Sequence, residues 1–209
     1  IDRFGCLDTD GDGYSDGGDA FPNDPTRNTD VDLDGFDDNE DDCPSITGTS
    51  TNDSLGCLDS DGDGWSDAGD DLPNDSTQWN DTDGDGFGDR QTGNQPDSCI
   101  EFYGNSTIDR WGCLDTDGDG VSDPDLNGDY GPVWTVLDGA DAFHDNASAT
   151  GDADGDGFDN GLDDCLTISG NSTGFFSVDS TSGGKKGCPD SDGDGWADSE
   201  DEEPNDPQQ

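Results

Sequence analysis

The chain has 209 residues, 55 of them Asp or Glu and 6 of them Lys or Arg, so its formal charge is −49. Proteins contact nucleic acids and anionic lipid surfaces through Lys and Arg, and a helix needs about 20 apolar residues to cross a bilayer, so the sequence excludes nucleic-acid partners and membrane insertion. Leu, Ile, Val and Phe make up about 14% of the residues, too few for the apolar core that a compact domain of this length buries, and the strongest expected attraction is for cations.

The acidic residues recur at regular positions, which argues against a disordered acidic tail. Gly5–Gly13 recurs nearly unchanged as Gly56–Gly64, and similar segments begin at Gly112 and Gly187. This self-similarity predicts tandem repeat units. They are unit 1 (1–55), unit 2 (56–111), unit 3 (112–186) and the start of unit 4 (187–209), each full unit with two acidic loops.

The third unit is longer than the others because it contains two insertions, 124–138 and 174–184. Alternating apolar residues in Val133–Val136 predict a short strand or hairpin in the first insertion. Both insertions are interpreted either as local packing of an extended loop or as a docking site. The fourth unit stops after its first loop, so we expect the repeat to continue head-to-tail, in a longer array or through neighbouring copies.

Each acidic segment fits a twelve-residue calcium-binding loop. Such a loop supplies side-chain oxygens from positions 1, 3, 5, 9 and 12 and a backbone carbonyl from position 7, and Ca²⁺ takes about six to eight oxygen ligands. A glycine at position 6 lets the backbone turn around the ion. The ligands of loop 1 in this order of position are Asp8, Asp10, Asp12, Tyr14, Asp16 and Asp19.

Six further loops are predicted to bind Ca²⁺ in the same way. The uninterrupted ones are loop 2 with Asp30, Asp32, Asp34, Phe36, Asp38 and Asp41; loop 3 with Asp59, Asp61, Asp63, Trp65, Asp67 and Asp70; loop 6 with Asp152, Asp154, Asp156, Phe158, Asn160 and Asp163; and loop 7 with Asp190, Asp192, Asp194, Trp196, Asp198 and Asp201. The interrupted ones are loop 4 with Asp81, Asp83, Asp85, Phe87, Asp89 and the distant Asp97, and loop 5 with Asp115, Asp117, Asp119, Val121, Asp123 and the distant Asp141. The side chains at position 7 are expected to form a miniature core.

The loops are not helical EF-hands, because residues such as Pro22 and Pro73 follow them and no flanking helix can form. Asp41–Pro44 followed by Gly56–Gly64 resembles the thrombospondin type 3 repeat of bacterial and archaeal surface proteins, and the likeness covers nearly the whole chain except the insertions. The resemblance implies a mostly irregular fold with little helix or strand. It implies an elongated, calcium-wrapped, disulfide-stapled tandem repeat array with an extracellular, structural role.

Seven cysteines indicate disulfides and an oxidising setting. The residues themselves leave two schemes open: pairing across each Cys-to-Gly-Cys segment, which leaves Cys6 over, and pairing within each unit, which leaves Cys188 over. The resemblance favours the first scheme. Its pairs are Cys43–Cys57, Cys99–Cys113 and Cys165–Cys188.

Six Asn-X-Ser/Thr sequons predict N-linked glycans on exposed loops of a secreted protein. The alternative is that Asn, Ser and Thr are frequent because they favour turns. The six acceptor residues are Asn52, Asn74, Asn80, Asn105, Asn146 and Asn171.

The expected function is a calcium-stabilised rod, stalk or filament outside the cell, with copies of itself as partners. We expect no enzyme and no small-molecule substrate, because His144 is the single histidine and the carboxylates fall on calcium spacing. Folding should be coupled to Ca²⁺ binding. One alternative is a calcium-dependent adhesin or protein-binding module that uses Trp134 and Phe175–Phe176, and another is a low-affinity calcium buffer.

Overall fold

The structure is a computed structural model that describes residues 5–175 and 182–208. Turns, bends and irregular segments make up nearly all of these ranges. The regular elements there are one short 3-10 helix, Val136–Asp138, and two strands, β1 (Thr173–Phe175) and β2 (Ser182–Lys186). The prediction of a mostly irregular chain is therefore confirmed. Within the same ranges, no helix has the length and apolar character needed to span a membrane.

The chain divides into two compact units, Ile1–Pro96 and Asp97–Gln209. The first unit contains loops 1 to 3 and positions 1 to 9 of loop 4, and the second contains loops 5 to 7. The boundary falls within the second predicted repeat unit (56–111). The division into four repeat units describes the sequence, and it stays a prediction.

The interior of the described residues contains no large aliphatic or aromatic side chain. The buried apolar residues are all cysteine or alanine, whereas Leu33 and Leu137 are 79% and 92% exposed. The largest fully buried side chains are instead polar: Gln78, Asp37, Asp97, Asp141 and Asp194. Hydrophobic burial, which stabilises most folds, therefore contributes little here.

One backbone hydrogen bond closes every acidic loop. In loop 3, the N–H of Asp67 at position 9 donates to the carbonyl of Leu58, the residue before position 1, over 2.8 Å. The same bond is present in all seven loops, with distances from 2.7 to 2.9 Å. Each loop is thus a closed ring of backbone, and the acidic side chains at positions 1 to 9 are held on a common frame.

Three disulfides close the segments between consecutive loops, and each has Cα atoms 5.0 to 5.1 Å apart. Within the first segment, the N–H groups of Thr49 and Ser50 both donate to the carbonyl of Cys57. A Cβ atom on Gly48 would come within 2.0 Å of that carbonyl oxygen, so the backbone approaches this closely only because residue 48 is glycine. The disulfide segment is therefore tightly folded without regular secondary structure.

The first insertion forms one antiparallel bridge between Asp125 and Trp134, in which each N–H donates to the other carbonyl over 2.8 Å. The predicted strand at Val133–Val136 is thus limited to Trp134, because the chain turns into the 3-10 helix at Val136. The indole N–H of Trp134 donates to Asp109, and the Arg110 guanidinium lies 5.5 Å from its ring centroid.

The antiparallel strands β1 and β2 lie at the two ends of the second insertion and extend past it; they pair Thr173 with Lys186 and Phe175 with Ser182. The sequence analysis did not predict these strands. The predicted adhesive residue Phe176 lies outside the described residues.

Candidate metal centres

The aspartate at position 1 organises each loop through both of its carboxylate oxygens. In loop 3, Asp59 accepts hydrogen bonds from the N–H groups of Gly62 at 2.7 Å and Gly64 at 3.1 Å, which are positions 4 and 6. The backbone therefore curls around position 1. The same pair of bonds from positions 4 and 6 is made by Asp8, Asp30, Asp81, Asp115, Asp152 and Asp190.

The aspartates at positions 3 and 5 use one oxygen for the backbone and leave the other unbonded in loop 3. Asp61 Oδ1 accepts the N–H of Asp63 at 3.2 Å, and Asp63 Oδ1 accepts the N–H of Trp65 at 2.8 Å. The Oδ2 atoms of Asp61 and Asp63 are buried and have no hydrogen-bond partner. The loop fixes both carboxylates and keeps one oxygen of each available.

Every loop has an unpartnered oxygen of this kind at position 3. A buried carboxylate oxygen without a hydrogen-bond partner belongs to Asp10, Asp32, Asp61, Asp83, Asp117, Asp154 and Asp192. At position 5 the same holds for Asp63, Asp119 and Asp194, and at the closing position for Asp141. Buried polar atoms are nearly always hydrogen-bonded, and an ionised carboxylate accepts but cannot donate, so these oxygens suit a cation.

The carboxylates also lie close enough to share one ion. In loops 1, 2, 3, 4 and 5, one ligand oxygen from each of positions 1, 3 and 5 lies within 4.8 Å of the other two, and the described residues contain two further groups of this kind. Hard oxygen donors of this kind suit Mg²⁺, Ca²⁺ or Mn²⁺. The predicted ligands at positions 1, 3 and 5 are thus brought together, and these groups could hold a metal ion.

The electrostatics of the loops reflects crowded negative charge. Burial raises the pKa of Asp61, and the charges of Asp63 and Asp59 raise the same pKa further. The pKa is raised for the same two reasons, burial first and neighbouring carboxylates second, at Asp32, Asp70, Asp83, Asp154 and Asp192. A bound cation would reverse this effect, because it favours the ionised form.

The closing acids at position 12 are positioned by one recurring bond. Asp70 Oδ1 accepts the N–H of Leu72, two residues further on, at 2.7 Å. The equivalent bond is made by Asp19, Asp41, Asp97, Asp141, Asp163 and Asp201. Asp97 is fully buried in the second compact unit, and its predicted role in loop 4 stays a prediction.

The structure brings Asp141 to loop 5 despite the insertion that separates them in sequence. The backbone N–H of Asp141 donates to the carbonyl of Ser122 at 2.9 Å. Burial and the charges of Asp119, Asp117 and Asp123 raise the pKa of Asp141 to about 6. The structure therefore places Asp141 beside loop 5, and its predicted role as a metal ligand stays a prediction.

Position 9 has a clear structural role that the sequence analysis did not assign. In loop 3, Asp67 accepts the N–H and the hydroxyl of Ser60 at position 2, both at 2.7 Å. The N–H of position 2 donates likewise to Asp16, Asp38, Asp89, Asp123, Asn160 and Asp198. The side chain at position 9 therefore links the two sides of the loop by accepting hydrogen bonds from position 2. Its predicted role as a ligand stays a prediction.

The side chains at position 7 are half-buried in all seven loops. Trp65 stacks on Trp79 with ring centroids 6.2 Å apart, and the Arg90 guanidinium lies 4.7 Å from the Trp79 centroid. These contacts make a small cluster beside loop 3. They agree with the expected packing role of position 7, although the cluster is partly exposed.

Two aspartates outside the predicted ligand sets also support loops. Asp53 accepts the N–H and hydroxyl of Ser66, and Asp109 accepts the same two groups of Ser122. Both serines occupy position 8 of their loops. The sequence analysis missed this pair, although each aspartate lies four residues before a disulfide cysteine, a shared spacing that could have revealed it.

The three disulfides join the pairs of the first scheme, and Cys6 is free and exposed. All six sequon asparagines are exposed, which N-glycosylation requires. The Asn80 side-chain amide donates hydrogen bonds to Asp89 and Thr82 of loop 4. A glycan on Asn80 would disturb these bonds, so this sequon is the least compatible with an intact loop.

Comparison with known proteins does not assign the chain to a family. No protein-family model matches it, and no curated protein sequence matches it. The candidate metal centres therefore rest on their own geometry, and the resemblance to the thrombospondin type 3 repeat stays a prediction.

Proposed function

We propose that the seven acidic loops bind Ca²⁺ and that the bound ions replace an apolar core in an extracellular structural protein. The observation that carries this proposal is the buried, unpartnered oxygen at position 3 of all seven loops. Positions 1, 3, 5 and 12 would hold the ion together with the carbonyl of position 7. Irregular loops with many oxygen donors suit Ca²⁺ better than Mg²⁺, which demands near-octahedral geometry and keeps several waters.

The structural role follows from how little else stabilises the chain. Among the described residues, the buried apolar side chains are only cysteine and alanine, while the chain carries a formal charge of −49. Bringing these carboxylates together without counter-charge is unfavourable, so metal binding would supply folding free energy. Three disulfides would add about 2–4 kcal/mol each through the closed loops.

The location outside the cell is supported by the disulfides and by the exposed sequons. Repeated loops linked by disulfide segments fit a rod, stalk or filament that continues through further copies. A non-catalytic role is supported because the clustered carboxylates are already used by the loop framework.

Chelation tests the proposal directly. Circular dichroism, light scattering and limited proteolysis should show loss of structure when EDTA removes the metal, and recovery with Ca²⁺. Mg²⁺ at the same concentration serves as the control for ionic strength and simple charge screening. A metal-stripped chain that keeps its size and protease resistance would contradict the structural role and favour a calcium buffer.

A pair of variants with equal charge change separates metal binding from net charge. Asp61→Ala removes an unpartnered buried carboxylate, whereas Asp145→Ala removes an exposed one outside the loops. The first should reduce the number of bound ions measured by calorimetry, and the second should not. Equal effects of the two variants would indicate diffuse electrostatic attraction instead of built sites.

An adhesin or protein-binding module is the second candidate, because the first insertion exposes apolar residues in a chain that has few. Val133 and Leu137 are 54% and 92% exposed. Val133→Ser combined with Leu137→Ser should abolish partner binding while Ca²⁺-dependent protease resistance persists. If the double variant loses self-assembly instead, the surface belongs to the structural function.

A further inference from the structure

Loops 2 and 3 differ in their contacts although they carry the same acids at the predicted ligand positions. Both lie in the first compact unit, with aspartate at positions 1, 3, 5, 9 and 12. Each also has one neighbouring aspartate that accepts backbone hydrogen bonds: Asp37 from Asn28 and Asp53 from Ser66. Loop 2 also has Glu40 at position 11, where loop 3 has Gly69, but Arg27 forms an ion pair with Glu40 at 3.7 Å. The charges around the two loops are therefore similar, and the clearer differences are geometric.

The first difference is at position 4. Loop 3 has Gly62 there with φ +83°, whereas loop 2 has Leu33 with φ +68°. A side chain in this left-handed region is strained, and Leu33 is 79% exposed, so packing does not compensate. Loop 2 must keep this strained conformation for its carboxylates to converge.

The second difference is at position 5. In loop 2, the N–H of Gly48 in the following disulfide segment donates to Asp34 Oδ2 at 3.0 Å. In loop 3, Asp63 Oδ2 is buried without a hydrogen-bond partner. A cation at loop 3 would satisfy an oxygen that nothing else satisfies, whereas at loop 2 it would share an oxygen that already has a donor.

The third difference is at position 2. The Ser60 N–H and hydroxyl both hold Asp67 in loop 3, whereas Val31 can offer only its N–H to Asp38 in loop 2. The link between positions 2 and 9 is therefore held by one bond in loop 2 and by two bonds in loop 3. Less pre-organisation costs binding free energy.

We propose that loop 2 is the labile cation site of this unit and that loop 3 is the tight one. The inference rests on the proposed metal binding and adds an order of release to it. Falling Ca²⁺ would empty loop 2 first, while loop 3 and its Trp65–Trp79 cluster stay formed. Leu33 is the residue that sets most of the difference.

Terbium release from the full chain tests this order. Tb³⁺ replaces Ca²⁺ at oxygen sites and emits when a nearby tryptophan is excited. All reporter variants carry Trp79→Phe and Trp196→Phe. The first keeps Trp65 as the reporter of loop 3. The second also carries Phe36→Trp and Trp65→Phe, so that the tryptophan at position 36 reports on loop 2. A third variant carries Trp65→Phe and keeps Phe36, so its emission is the background that is subtracted from both reporters. After mixing with excess chelator, the loop 2 reporter should decay roughly fivefold faster or more.

Leu33→Gly sharpens the test because it removes the strain. It should slow release from loop 2 several-fold and leave the loop 3 reporter unchanged. Leu33→Ala is the matched control, since it removes the exposed side chain but keeps the Cβ atom and the strain, so release should stay fast. Circular dichroism of each loaded variant checks folding.

A matched pair at position 5 tests the second difference. Asp63→Ala should accelerate release from loop 3 more than Asp34→Ala accelerates release from loop 2. Equal decay of the two reporters, or slower decay from loop 2, would overturn the inference while leaving metal binding intact. Absence of sensitised emission from both reporters would instead overturn the proposed function.

Discussion

Loop 3 and loop 5 reach the same arrangement of carboxylates with very different lengths of chain. The closing acid of loop 3, Asp70, follows Asp59 by 11 residues, whereas Asp141 follows Asp115 by 26 residues. Both closing carboxylates accept the N–H two residues ahead, at 2.7 and 2.8 Å. The pKa of each is raised by burial and by the acids of its own loop. The comparison teaches that such a site is defined by the oxygens that converge in space, not by one contiguous segment.

The insertion is compatible with loop 5 because hydrogen bonds at its base bring the chain back beside the loop. Asp125 and Trp134 pair at its base, and Gly139 and Ala140 donate to the Thr135 carbonyl at the end of the insertion. Asp141 then binds the Ser122 carbonyl through its N–H. The extra residues form their own hydrogen bonds, so the closing acid needs no direct connection to position 9.

Removing the closing acid should have the largest effect in both loops. Asp70→Ala and Asp141→Ala each delete one carboxylate from an otherwise complete set, so metal affinity of the affected loop should fall at least tenfold, or about 1.4 kcal/mol. Calorimetric titration of each variant should detect one tight metal site fewer than in the wild type. Asp145→Ala is the control for charge. If Asp141→Ala binds metal as tightly as the wild type does, another group closes loop 5. That outcome would contradict the proposed likeness between loops 3 and 5.

A change at the base of the insertion should affect loop 5 alone. Asp125 is buried and accepts the N–H groups of Asp129 and Tyr130, both at 2.9 Å, so Asp125→Ala removes two part-buried hydrogen bonds to a charged acceptor at a cost of about 1–3 kcal/mol. Protease cleavage within 124–138 should increase, and metal affinity of loop 5 should fall while loop 3 is unchanged. Asp129→Ala removes the same charge from an exposed position and should do neither. Equal weakening of loop 3 would mean that the variant acts through global stability.

The frame of the candidate metal-binding loops could be predicted from sequence because its chemistry is local. Asp59, Asp61 and Asp63 lie within one closed ring of backbone, so spacing alone places their carboxylates together. Asp141 could be predicted as well, because it precedes a Phe that matches the one after Asp19. The irregular fold was predicted through the resemblance to the thrombospondin type 3 repeat, whereas the scarcity of apolar residues predicted only the absence of a large apolar core.

The contacts that distinguish one loop from another could not be predicted, because they join residues far apart in sequence. The Gly48 N–H reaches Asp34 only because the disulfide segment folds against Cys57, and Asp109 accepts the indole N–H of Trp134, a residue of the insertion. No repeated motif marks the strands β1 and β2 either. Spacing identifies the ligands, and tertiary packing sets how well each loop is pre-organised.

The smallest expected effect is a pH dependence that has opposite signs with and without metal. Without metal, the pKa of Asp141 is raised to about 6 by burial and by Asp119, Asp117 and Asp123. A raised pKa in the folded state means that protonation stabilises the fold. This contribution is fully present below the ordinary value of 3.8 and is lost as the pH rises through about 6.

With Ca²⁺ the sign reverses, because protons compete with the ion for the same carboxylates. The chelated chain should therefore retain more residual structure, followed by circular dichroism, at pH 4.5 than at pH 7.5, and the Ca²⁺-loaded chain should do the opposite. Asp141→Asn should flatten the metal-free profile between these values more than Asp145→Asn, because only the first removes a buried titrating group. Loop 3 should respond in the same direction through Asp61 and Asp70, whose pKa values are also raised. Parallel profiles with and without Ca²⁺ would contradict the view that cations and protons neutralise the same oxygens.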